Sequence, residues 1–133
     1  MDYEITLSAR CSDEQAAWHR ESFEGRQGTP LHRFEARFDR YGEDAIAALE
    51  SLLDDFPNQF FRIEGFSVAE GLFHFQWPAH DDGESFLKAV MSFMSLIGFH
   101  EQEGQVMGDE GCYVCVLGEG GLDCRYRDGF EPE

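Results

Sequence analysis

The chain has 133 residues and a formal net charge of −17, from 27 Asp and Glu against 10 Lys and Arg. Its 42% hydrophobic and 14% aromatic content argues against disorder, and its length suits one domain that needs no obligatory disulfide or metal. So acidic a chain is a poor binder of nucleic acid or of an anionic membrane surface, where cations must replace counterions. What remains is a basic partner, or charge used for solubility alone.

Nothing near the N-terminus reads as a basic segment followed by an apolar run, and no apolar stretch approaches the roughly 18 residues of a membrane span. A cytoplasmic location is therefore expected, with Cys11, Cys112, Cys115 and Cys124 as reduced thiols.

Tyr3, Ile5, Leu7, Ala9 and Cys11 alternate with Glu4, Thr6, Ser8 and Arg10, which predicts a first strand. Ser12 and Gln15 have capping-box spacing, so a short helix is expected over Asp13 to Phe23, closed by the loop around Gly25, Gly28 and Pro30. Leu31 to Asp39 puts Phe34, Ala36 and Phe38 on one face and charges on the other, which predicts a second strand. Helical spacing of Leu31, Phe34 and Phe38 is the competing reading. Glu43 to Phe56 is the clearest helix, with Ile46, Leu49, Leu53 and Phe56 as its apolar stripe and Pro57 as its stop.

Phe60 to Trp77 concentrates the chain's aromatic bulk, and alternation on both sides of Ala69-Glu70-Gly71 predicts an antiparallel hairpin, taken as the centre of the sheet. A second, more buried helix is expected over Glu84 to Phe99. A short strand follows at Gln105 to Gly108, then a strand over Cys112 to Leu117 and its return over Leu122 to Arg127.

The pattern as a whole predicts an α+β fold, an antiparallel sheet with two main helices on one face. Residues 31–117 read as a ferredoxin-like βαββαβ core, with 1–30 adding an N-terminal strand and short helix and 118–133 a C-terminal hairpin and acidic tail. Such an order carries no functional weight by itself.

Cys112-x-x-Cys115 with Cys124 invites a zinc reading, but residues three apart on a strand point to opposite faces, so ordinary buried thiols are expected. His74, His80, Asp81, Asp82 and Glu84 cluster near a helix N-terminus, where carboxylates serve as caps. The alternative is a small metal-dependent enzyme using His74, His80 and Asp82. No nucleophile elbow and no P-loop is present, so no catalytic residue and no cofactor is expected.

The remaining signal is acidity. Glu43, Asp44, Glu50, Asp54 and Asp55 line one helix, Asp81, Asp82 and Glu84 open the next, and Glu101 and Glu103 lie in the following stretch. All are candidate partner-binding residues, with Trp18, Tyr41 and Tyr126 as candidate anchors. In size and charge the chain is similar to inhibitors of basic targets, such as bacterial immunity proteins against nuclease toxins, and to phage proteins that imitate nucleic acid. That resemblance implies a non-enzymatic inhibitor of a basic toxin, nuclease or effector, with a nucleic-acid mimic as the alternative and a homodimer left open.

Overall fold

The computed structural model describes residues 3–24, 31–56, 59–60, 62–79, 83–108, 111–118 and 120–128. In chain order it has β1 (Tyr3–Arg10), α1 (Asp13–Glu24), α2 (Leu31–Ala36), a 3-10 turn (Asp39–Tyr41) and α3 (Glu43–Asp55). Then come β2 (Gly65–Ala69), β3 (Leu72–Ala79), α4 (Gly83–Leu96), β4 (His100–Gly108), β5 (Gly111–Gly118) and β6 (Gly121–Asp128).

The six strands form one antiparallel sheet in the order β2-β3-β1-β4-β5-β6. β1 is interior, paired with β3 and β4, and its alternation shows in its burial: Ile5 and Leu7 are fully buried, while Glu4 and Arg10 are exposed. The aromatic hairpin forms as expected but lies at one end of the sheet, with β2 as an edge strand. Its first arm starts at Gly65, later than expected; Phe60 and Ile63 are buried from the loop before it, and Phe61 lies outside the described residues. The Trp77 Nε1–H donates to the Phe60 carbonyl at 3.0 Å, which pins that loop to β3.

The strand expected over Leu31 to Asp39 is a helix followed by a 3-10 turn. Period two fails there because Ala36, on the supposed buried face, is exposed while Phe38 is fully buried. Phe38 packs among the rings of Trp18, Phe23 and Phe93 at 5.5, 6.3 and 5.3 Å. With Phe38 turned into that core and Ala36 turned out, the segment follows the helical spacing rather than period two. The first strand of the chain is thus Tyr3–Arg10, and no strand falls between residues 31 and 56.

α4 lies on the sheet face that carries Ile5, Gly104 and Val106. Glycine is required at 104, because a Cβ there would sit 2.6 Å from Leu87 Cδ1 of α4. α4 ends at Gly98, which has φ +97°, and the Phe99 N–H donates back to the Met94 carbonyl at 3.0 Å in Schellman fashion. Gln102 on β4 is buried and its Nε2 donates to the Met91 carbonyl and to Ser95 Oγ, tying strand to helix through polar bonds. α3 packs chiefly on α4. Among the described residues, no helix is long and apolar enough to cross a membrane.

Candidate functional site

α3 presents its carboxylates as the 3.6-residue period requires. Ala45, Leu49, Leu52 and Leu53 face inward, and Glu43, Asp44, Glu50, Asp54 and Asp55 are exposed. Glu43 and Asp44 lie in the first turn, where the helix dipole favours them; Asp54 and Asp55 lie in the last turn, where it does not. None of the five is in an ion pair among the described residues. Where α3 meets the preceding 3-10 turn there is a shallow open depression lined by Asp39, Gly42, Glu43, Ile46, Ala47 and Glu50. Three carboxylates therefore stand around a small aliphatic floor. That chemistry suits a lysine or arginine side chain, whose stem packs on Ile46 and Ala47 while its head meets the acids.

The other acidic candidates do not join this surface. Asp81 and Asp82, like His80, Asp109 and Glu110, lie outside the described residues. Glu84 is half-buried in the first turn of α4. One turn later, Lys88 Nζ lies 5.6 Å from the centroid of the Tyr113 ring, and a hydrogen bond to Tyr113 pushes its ammonium pKa up. Glu101 has φ 50° at a register irregularity and pairs with Arg10 at 3.5 Å. Glu103 sits between the helix-facing Gln102 and Gly104, so it points to the opposite face of the sheet from α4.

On that opposite face the Ser8 hydroxyl lies 3.0 Å from His74 Nδ1, with Glu103 in register on the other side of Ser8. A catalytic triad needs its acid on the histidine, and here the acid neighbours the serine. Among the described residues, no group of three or more His, Cys, Asp or Glu side chains is placed to hold a metal ion.

The cysteines depart from expectation. Cys115 and Cys124 are directly opposite on β5 and β6, with Cα atoms 4.1 Å apart, and are joined as a cross-strand disulfide rather than held as two reduced thiols. Cys112 is on the other face of β5, with its Sγ 3.7 Å from Gln105 Oε1. Burial, with the nearby Asp13 carboxylate, pushes the Cys11 thiol up to about 11, which keeps it protonated and unreactive.

One cluster is absent from the sequence reading. His19 on α1 is fully buried, its ring stacked between Tyr41 and Phe99 at 5.6 and 4.7 Å, with Trp18 edge-on. Its Nε2 is 2.9 Å from the Ile97 carbonyl, which only accepts, so this nitrogen carries the proton; Tyr41 Oη lies 3.2 Å from it. Nδ1 is buried and has no hydrogen-bond partner among the described residues. Burial pulls the imidazole down to about 4, the Ile97 bond opposing and Arg40 assisting. Outside this core, the Arg37 and Arg40 guanidiniums lie 4.8 and 5.2 Å from the Trp18 ring centroid, and Arg37 Nε donates to Ser22 Oγ. The signal available in the sequence was the spacing of Ala16, His19 and Phe23 on one helix face, which a search for apolar residues alone passes over.

Comparison with family models, with curated proteins and with solved structures finds no match for this chain.

Proposed function

We propose that the chain is a non-enzymatic acidic protein that binds and occludes a basic protein partner, with α3 and its depression as the docking surface. The observation that supports this reading most is the set of Asp39, Glu43 and Glu50 around Ile46 and Ala47, on a helix with five exposed acids and no base. Unpaired carboxylates of one sign steer a cationic partner, and an aliphatic floor among them receives the stem of its lysine or arginine. Asp54 and Asp55, placed against the helix dipole, are consistent with charge kept for binding rather than for helix stability. A toxin, nuclease or effector with an anion-binding surface is the class of partner meant, and a cytoplasmic location belongs to the same proposal. Within it, the β1-to-β4 part is read as a ferredoxin-like split βαβ pair that begins at Tyr3.

The test is affinity capture from cell lysate at low salt, followed by association kinetics with the captured partner. The expected result is one stoichiometric basic protein released by raised salt. Replacing Asp54 and Asp55 by Lys should slow association about tenfold and flatten its salt dependence. Recovery of only a weak, heterogeneous set of basic proteins, or kinetics that the reversal leaves unchanged, overturns the proposal.

A further inference from the structure

β6 ends the sheet, and among the described residues nothing pairs with its outer side. Its sequence, GLDCRYRD, carries two acids and two arginines in a chain whose net charge is −17. Two copies of so acidic a molecule repel each other over most of their surface, and this neutral strand is where they can approach. α4 packs on β1, β4 and β5 more than on β6. Leu122 and Tyr126 are consequently 47% and 67% exposed.

The backbone settles which groups are free. Cys115 and Cys124 have Cα atoms 4.1 Å apart, the close spacing of a non-hydrogen-bonded antiparallel pair. The N–H and C=O groups of Leu122, Cys124 and Tyr126 therefore turn away from β5 toward the open edge, and those of Asp123 and Arg125 turn toward β5. In an added antiparallel strand, hydrogen-bonded pairs form at the first three and not at the last two.

We propose that β6 is a homodimerisation edge: it pairs antiparallel with β6 of a second copy about a two-fold axis at Cys124, continuing the sheet across both copies. In that register Leu122 stands opposite Tyr126 of the second copy, with backbone bonds at that pair and at Cys124. Asp123 stands opposite Arg125 of the second copy, and by symmetry Arg125 opposite Asp123. Sliding one step in one direction sets Asp123 against Asp123, and one step in the other sets Arg125 against Arg125. Asp123 and Arg125 already form an exposed pair 2.5 Å apart within each strand, so the dimer joins two pairs into a four-membered network of alternating sign. Self-pairing of β2 about Ser67 brings Glu64 opposite Glu70, like charge on like, and β2 has only five residues. This inference is independent of the acidic docking surface on α3.

The experiment is sedimentation of the full chain over a range of concentrations at about 0.15 M ionic strength, where long-range repulsion between copies is screened. A monomer–dimer equilibrium is expected. Asp123→Arg alone and Arg125→Asp alone should each raise the dimer Kd about tenfold or more, and the two together should restore it. Tyr126→Pro, which removes an outward N–H without touching the β5 pairing, should leave a monomer with the parent's circular dichroism. A chain that stays monomeric at the highest concentration, a dimer indifferent to these changes, or a double exchange that fails to restore association overturns the proposal.

Discussion

At the β2–β3 end of the sheet, Phe73, Phe75 and Trp77 are fully buried beneath Phe99, Phe23 and Phe86, with ring centroids 5.0 to 5.4 Å apart. At the β5–β6 end the same period-two pattern leaves Leu122 and Tyr126 largely in solvent. Both ends alternate apolar with polar residues, so the period alone does not distinguish them. The cover does: α1 and the loop at Phe60 close over β3, while Leu122 and Tyr126 of β6 are left exposed. Alternation specifies which side chains share a face, and the cover decides whether that face is core or binding surface.

The largest expected effect breaks the covered end. Trp77→Ala removes a fully buried ring and its Nε1–H bond to the Phe60 carbonyl, and should cost about 3–5 kcal/mol in urea unfolding. Leu122→Ala at the open end, measured at high dilution, should stay within about 0.5 kcal/mol. Equal losses at the two positions would mean that β6 is covered as β3 is.

His19 gives the next effect, and it sharpens the contrast because it lies under the covered end, 6.4 Å from the Phe73 ring. Its pKa falls from 6.5 to about 4 on folding. The unfolded chain then binds the proton more readily, so the stabilisation is full above pH 6.5 and is lost as pH falls through that window toward 4. The loss across the window is on the order of 3 kcal/mol. His19→Phe removes the titrating group, so the difference in urea midpoint between neutral pH and pH 4.5 should shrink markedly. A difference that persists in full would place the acid sensitivity in the carboxylates instead.

Period and turn residues made much of this architecture legible. β1, α3, α4 and the two C-terminal strands follow their patterns closely, because each has one clearly apolar face. The segment from Leu31 is ambiguous by period alone, since Phe34, Ala36 and Phe38 fit a strand while Leu31, Phe34 and Phe38 fit a helix, and the exposure of Ala36 beside the buried Phe38 goes with the helix. The hairpin's place at the end of the sheet rests on long-range pairing, which composition does not encode. His19 is not legible as core, because a polar residue on a helix face reads as solvent-facing, whereas here the Ile97 carbonyl satisfies its Nε2. Of the acidic candidates, the α3 set was recoverable from helical spacing. The separation of Glu103 from it depends on the sheet having two sides, and Glu101 is drawn away by Arg10.

The smallest expected effect lies at the rim of the His19 cluster. Arg40 is exposed, its guanidinium 5.2 Å from the Trp18 ring centroid and 5.8 Å from that of Tyr41. Stacking at so exposed a site is worth about 0.5–1 kcal/mol, so Arg40→Ala should lower stability at neutral pH by about that much. The same change removes a positive charge that helps hold the His19 pKa down, so the imidazole should titrate closer to its ordinary value. The two consequences oppose each other with pH. The stacking loss is constant, while the acid-dependent loss shrinks, so the penalty of Arg40→Ala should be smaller at pH 4.5 than at pH 7. Urea midpoints of the parent chain and the variant at both pH values measure this directly. In a His19→Phe background the penalty should become independent of pH, because no imidazole is left for the guanidinium to repel. A penalty that still varies with pH there would trace the effect to Arg40's acidic surroundings rather than to the buried ring.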